Sequence, residues 1–83
     1  MCEREGKIVV PKKPIAGMLR FIGDVLCMDG RFCRVNILRV ENPEYAGQTI
    51  VTHCLPEDLI EFDSEKEAMD HLAGKGVALA PVQ

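Results

Sequence analysis

The segment MLRFIGDVLCMDGRFCRVNILRV, residues 18–40, decides the fold because it holds the turn signal Asp29-Gly30 between two apolar runs. An Asp-Gly pair flanked by apolar residues is a strong short-range signal for a β-hairpin. The returning run contains CRVNI, residues 33–37, in which apolar and polar residues alternate as they do in a half-buried strand. The pattern therefore predicts two antiparallel strands joined at this turn.

A helix over residues 15–28 is the alternative, and it would give an α+β fold. Pro14 suits the first position of a helix, and apolar residues recur along this segment at helical spacing. However, Gly17 and Gly23 would each cost such a helix about 1 kcal/mol relative to Ala. A returning strand also needs a partner strand, so we favour the hairpin.

The register of the hairpin follows from which residues it buries. A two-residue Asp29-Gly30 loop would bury the Asp24 carboxylate without an evident partner. A three-residue loop over residues 28–30, with Gly30 in the left-handed conformation, instead sets Asp24 opposite Arg34. The residues expected on the apolar face are then Phe21, Val25, Cys27, Cys33, Val35 and Ile37.

The cysteines offer three interpretations: a metal site, a disulfide or small core residues. Cys27, Cys33, His53 and Cys54 are suitable zinc ligands by type, but structural zinc sites usually use Cys-x2-4-Cys spacing. Adjacent strand residues such as His53 and Cys54 point to opposite faces of a sheet. Because buried cysteine packs as a small hydrophobic residue, we expect core cysteines and no metal or other cofactor.

The remaining chain suggests short elements of the same kind. Alternation in residues 48–55 predicts a strand with Val51, His53 and Leu55 on one face. Both faces of that strand are largely apolar, which indicates self-association in so small a chain. The other expected elements are a strand at residues 6–10, a helical turn at 56–59, a strand at 60–62 and a helix from the cap Ser64 to Gly74.

These elements predict one domain, residues 1–83, of the mainly β class. About five short strands and a helical turn before the last one resemble, in shape alone, a small and strongly bent SH3-like barrel with a short C-terminal helix. Residues 74–83 have no clear periodicity, and we expect either a flexible tail or an added edge strand through residues 77–79.

Charge is unevenly distributed along the chain. Residues 1–40 hold eight Lys and Arg against four Asp and Glu, whereas residues 41–83 hold two against nine. Such asymmetry suits an anionic partner or complementary patches for self-assembly. The N-terminal residues lack the apolar run of a signal peptide or a membrane span, so we expect a cytoplasmic protein with no membrane partner.

The candidate binding residues are basic or aromatic, and we expect no catalytic residue. A groove for single-stranded nucleic acid combines basic side chains with stacking aromatics, but this chain has few aromatics and an acidic net charge of -3. The acidic run in residues 57–70 is typical of a solvated surface and lacks calcium-loop spacing. The candidates are Lys12, Lys13, Arg20, Arg34, Arg39 and Tyr45.

The sequence thus favours a non-enzymatic binding or adaptor module that forms homo-oligomers and binds a protein or anionic partner. The first alternative is a small β-barrel that binds RNA or DNA through the side bearing Arg20, Arg34 and Arg39. The second is an oligomeric enzyme whose site forms only at a subunit interface, where symmetry gathers single residues into groups.

Overall fold

The computed structural model describes residues 5–15 and 19–82, and it is a mainly β protein with one antiparallel sheet and one helix. The elements are β1 Ile8–Pro11, β2 Phe21–Asp29, β3 Phe32–Val40, β4 Val51–Cys54, β5 Leu59–Phe62, α1 Glu65–Ala73 and β6 Ala80–Pro81. The strand order is β4-β3-β2-β1-β5, and β6 pairs with β3 outside this path. Two single-turn 3-10 helices, Pro43–Tyr45 and Pro56–Asp58, precede β4 and β5.

The predicted mainly β class is confirmed, and the alternative with residues 15–28 helical is wrong, because most of that segment is strand β2. Residues 16–18 lie outside the described part. The sheet is not closed into a barrel: among the described strands, β4 and β5 each pair on one side only.

The β2–β3 hairpin turns at Gly30 and Arg31, since Asp29 pairs with Phe32. The predicted three-residue loop is wrong, although Gly30 does adopt a positive φ of 61°. The pairing of β2 with β3 is irregular at Leu26, which has no partner on β3 and forms a β-bulge. The bulge lets the tighter turn coexist with the pairing of Val25 and Val35, both of which are buried.

The bulge also decides which side chains the hairpin buries. From Gly23 to Val25 the observed register differs from the expected one by two residues, and an even shift keeps side chains on the expected face. Phe21, Val25, Cys33, Val35 and Ile37 are all buried, as expected. Beyond the bulge, Cys27 pairs with Arg34 and is only half-buried, so its expected core position is wrong.

Asp24 likewise lies opposite Asn36 rather than Arg34. Asn36 Nδ2 donates a hydrogen bond to Asp24 Oδ1 at 3.1 Å. The cross-strand contact therefore satisfies the carboxylate with an amide, where the sequence predicted a guanidinium.

Two hydrophobic clusters hold the sheet. The first cluster fills one face and the second lies between the other face and α1. The first cluster contains Val9, Phe21, Val25, Cys33, Val35, Ile37, Val40, Cys54, Leu59 and Val82, and the second contains Val10, Ile22, Ala68 and Leu72.

Helix α1 begins as predicted, with Ser64 as its N-cap. Ser64 Oγ accepts a hydrogen bond from the Glu67 backbone N–H at 3.2 Å, which satisfies one of the unpaired donors of the first turn. The helix ends at Ala73, and the Gly74 N–H donates to the Asp70 carbonyl at 3.1 Å. No helix in residues 5–15 and 19–82 is long and apolar enough to span a membrane.

The described part of the C-terminal segment lies against the sheet. Ala80–Pro81 forms β6, which pairs with Val40 and Arg39 of β3, so the added strand falls after residues 77–79. The Val82 N–H donates to the Leu38 carbonyl at 3.1 Å, and its side chain is buried in the first cluster. Val77 and Leu79 pack against the second cluster.

Candidate binding groove

A groove of about 440 Å³ opens beside the start of β3, between the β1–β2 connection and the segment that joins β4 to β5. We call it the Phe32 groove; it is lined by residues 11–15, Phe32, residues 53–55, Asp58 and Leu59. Its volume lies within the range of roughly 300–1,000 Å³ that is common for ligand sites.

Residues 11–15, at the start of the β1–β2 connection, form one wall of the groove. The prolines in this segment interrupt the strand. Pro11 ends β1, and Pro14 keeps the residue before it extended. The Lys12 N–H donates to the Asp58 carbonyl at 2.9 Å, which ties this wall to the opposite one. Further along, Ile15 and Leu19 exchange two backbone hydrogen bonds, of 3.0 and 2.6 Å.

The surfaces that face the groove are mainly apolar. Phe32 is 44% exposed because it projects from the face of β3 opposite to the buried Cys33 and Val35. It lies at the hairpin end, opposite Asp29, one residue before the described pairing of β3 with β4 begins. Proline rings, Ile15 and Leu55 supply the rest of the apolar lining. An exposed aromatic ring beside a concave apolar surface is a natural contact point for a ligand.

Two lysines bring positive charge to this wall. Lys12 and Lys13 are exposed, and neither forms an ion pair with a residue that the structure describes. Across the groove, His53 Nε2 lies 3.4 Å from Asp29 Oδ2. Asp58 adds one carboxylate. The lysines are therefore available to an anionic group of a ligand.

The structure brings together only two of the six predicted binding residues, Lys12 and Lys13. Arg34 is exposed and lies opposite His53 in the β3–β4 pairing, outside the groove lining. Arg39 Nε donates to Glu65 Oε2 of α1. Arg20 lies before β2, where its backbone N–H donates to Glu41 Oε1 at 3.1 Å. Tyr45 packs against the first hydrophobic cluster.

Sequence reasoning missed the apolar part of the site. The prediction named charged residues and Tyr45, whereas Phe32, Ile15 and Leu55 line the groove. The run Pro11-Lys12-Lys13-Pro14 carried a usable signal, since two prolines hold two lysines on an extended connection. No local signal reveals that residues 53–59 pack opposite that run.

The cysteines are core residues at two of the three described positions. Cys33 and Cys54 are buried in the first cluster, as predicted, and Cys27 is the half-buried exception. Burial raises the pKa of the Cys54 thiol, and the nearby Cys33 and Asp58 raise it further. Within the described ranges, no three His, Cys, Asp or Glu side chains are grouped as a metal site would require.

The chain matches no protein-family model, no curated protein and no solved structure.

Proposed function

We propose that the protein is a non-enzymatic binding module that holds an extended, acidic segment of a partner protein in the Phe32 groove. The observation that carries the proposal is the position of the exposed Phe32 ring on the same groove as Lys12 and Lys13. The ring and the proline-rich wall would receive apolar side chains of the segment, and the lysines would pair with its carboxylates.

The shape of the groove supports a polypeptide ligand. It is an open groove beside a strand end, lined by prolines and an aromatic ring, and such surfaces suit extended chains that lose little conformational freedom on binding. Lys12 and Lys13 follow one another along one wall, so a ligand with alternating or adjacent acidic residues could engage both.

The polar groups of the groove support binding rather than nucleophilic catalysis. Cys54 is the thiol in the lining, and a raised pKa keeps it protonated and therefore poorly nucleophilic at neutral pH. His53 is held near the Asp29 carboxylate, on the strand face opposite to Cys54. The alternative of an enzyme formed at a subunit interface stays a prediction.

The proposal includes self-association, an SH3-like arrangement and a cytoplasmic location. The strand order and the 3-10 turn before β5 support the SH3-like arrangement.

Self-association is supported by Val51, which is 42% exposed on strand β4 at one end of the sheet. Strands at sheet ends carry backbone donors and acceptors that a second copy can pair with.

Binding of RNA or DNA remains the alternative from another class. The pairing of Arg39 with Glu65 leaves less charge for phosphate on the side predicted for nucleic acid. Arg34 is exposed and serves as the test residue. Nucleic-acid binding predicts an affinity that falls steeply with salt and is lost in Arg34→Glu.

Selection of random peptides displayed on phage against the immobilised full chain tests the proposed function. We expect enriched peptides that combine Asp or Glu with Leu, Pro or aromatic residues, and affinities that weaken by roughly tenfold or more in Phe32→Ala, as for an aromatic hot spot. Lys12→Glu and Lys13→Glu should also weaken binding.

Matched controls separate the groove from the rest of the surface. Leu26→Ala removes another exposed apolar side chain, and Lys75→Glu reverses another exposed lysine, both outside the groove. Binding should be unchanged in both controls. Failure to enrich any peptide, or enriched peptides that bind Phe32→Ala as tightly as the original chain, would contradict the proposal.

A further inference from the structure

Three sulfur-bearing side chains form a row across strands β2, β3 and β4, and we call this row the sulfur cluster: Met28, Cys33 and Cys54. Met28 is the strand partner of Cys33, and Cys33 is in turn the partner of Cys54. Residues that are directly opposite in antiparallel strands project from the same face of the sheet. The three sulfur-bearing side chains therefore project from one face of the sheet, beside the turn end of the β2–β3 hairpin.

Two of the sulfur atoms in the row are in direct contact. The Cys33 thiol donates to Met28 Sδ, and the two sulfur atoms are 3.4 Å apart. Cys54 is the strand partner of Cys33, and both residues are buried. Metal–sulfur bonds are about 2.3 Å long for zinc, so two sulfur atoms 3.4 Å apart can contact a single ion of similar size with small side-chain movements, and the pairing places Cys54 next to them on the neighbouring strand.

We infer that the sulfur cluster is a binding site for a soft monovalent metal ion, Cu(I), held by two cysteine thiolates and one methionine thioether. Soft thiolate and thioether donors favour Cu(I) over hard or borderline cations. Binding would release both thiol protons to solvent, which leaves a copper ion with two anionic ligands and one neutral ligand. No change of oxidation state is involved.

Zinc fits the cluster less well. A structural zinc site takes four ligands from cysteine, histidine and carboxylate groups, and a thioether is not among them. The nearest candidate for a fourth ligand along the chain, His53, is paired with Arg34 on the opposite face of the sheet and lies near Asp29. The donor set is thus suited to a metal that accepts few ligands, all of them sulfur.

Access to the cluster is possible from two sides. Met28 is 37% exposed at the hairpin end, and Cys54 contributes to the lining of the Phe32 groove. Cys33, between them, is buried. Met28 is therefore the solvent-side member of the sulfur cluster, whereas Cys33 and Cys54 also belong to the first hydrophobic cluster.

The test is a titration of the full chain with Cu(I) under nitrogen, with ascorbate as reductant and bicinchoninate as a competing, coloured chelator. Cys2, which lies outside the described residues, is changed to Ser in a parallel sample so that its thiol cannot account for the signal. We expect each chain to remove one Cu(I) from bicinchoninate in both samples.

Four substitutions locate the ion. Met28→Leu and Cys54→Ser should weaken Cu(I) binding by roughly tenfold or more, since even the loss of an outer-shell partner typically costs that much. The matched controls Met69→Leu and Cys27→Ser remove an exposed methionine and a half-buried cysteine elsewhere, and affinity should not change in either. Met28→Leu retains an exposed apolar side chain, so its fold should be intact.

X-ray absorption at the copper edge provides a measurement that does not depend on variants. Three sulfur ligands around the copper of the unmodified chain would support the site. The inference would be overturned by copper that stays with bicinchoninate, by equal affinity in Met28→Leu and Met69→Leu, or by nitrogen or oxygen ligands in the absorption spectrum.

Discussion

Gly23 lies so close to Val35 on the neighbouring strand that a Cβ atom at residue 23 would be 2.4 Å from Val35 Cγ1. The same Cβ would be 2.8 Å from the Asn36 carbonyl oxygen, which belongs to the backbone and cannot rotate away. The pairing register shifts between Ile22 and Gly23, next to this contact. Glycine is needed here for space rather than for an unusual φ.

We therefore expect Gly23→Ala to destabilise the protein by about 1–3 kcal/mol, the typical cost of overpacking a filled core. Gly74→Ala is the matched control, because the nearest atom to its new Cβ would be 3.5 Å away, an ordinary contact. Urea unfolding of both variants measures the two free energies. Equal stability of Gly23→Ala and Gly74→Ala would show that the strands separate here at little cost.

Gly30 in the hairpin turn is needed for the opposite reason. Its φ is 61°, and a Cβ at this position would meet no atom within 4 Å. A substitution there changes backbone strain alone. We expect Gly30→Val to cost about 1–2 kcal/mol, since a β-branched residue is strained at positive φ.

The control for Gly30→Val is Gly30→Asn, because asparagine tolerates the left-handed conformation better than other non-glycine residues. Thermal unfolding should place Gly30→Asn between the original chain and Gly30→Val. If Gly30→Val melted together with the original chain, the turn conformation would not be the one described.

These two glycines show what could be predicted from the sequence. Asp29-Gly30 is a local signal, and these two residues with their apolar flanks are enough to predict both the hairpin and the positive φ. The requirement for Gly23 depends on the approach of β3 at one point, and no local pattern reports that distance. From the sequence alone, Gly23 indicates only that a helix is unfavourable in this segment.

The faces of the hairpin were predicted better than its register. The expected pairing was wrong by two residues at Val25 and by three at Phe21, yet period-two alternation along each strand kept Phe21, Val25 and Val35 on the buried face. The bulge at Leu26 depends on how the tight turn and the buried residues of the hairpin fit together, and no local pattern in the sequence reports this. Cys27 was therefore expected in the core, whereas it is half-buried. Similarly, charge indicated Lys12 and Lys13, but the facing wall of the groove comes from residues distant in the sequence.

The cap of α1 gives a further prediction. Ser64 Oγ accepts from the Glu67 N–H, and the helix Glu65–Ala73 is too short to persist in water without its caps and its packing. We expect Ser64→Ala to lower stability by about 1 kcal/mol. Ser64→Asp, which keeps an acceptor at the cap, should remain close to the original chain in urea unfolding. A loss of equal size in both variants would assign the effect to something other than the hydrogen bond.

The last prediction concerns the chemical reactivity of Cys54 and Cys27. Cys54 is 8% exposed and burial raises its pKa, whereas Cys27 is half-buried on the other face of the hairpin. A thiol with a raised pKa forms less thiolate at neutral pH, and thiolate is the form that reacts with iodoacetamide. We therefore expect Cys27 to be alkylated before Cys54 in the folded protein. We also expect the alkylation rate of Cys54 to continue rising at higher pH than the rate of an ordinary thiol.

Peptide mapping by mass spectrometry after timed alkylation gives both rates, and the same reaction in urea is the control, since unfolding should remove the difference. Faster alkylation of Cys54 than of Cys27 in the folded protein would contradict the burial of Cys54 and its raised pKa.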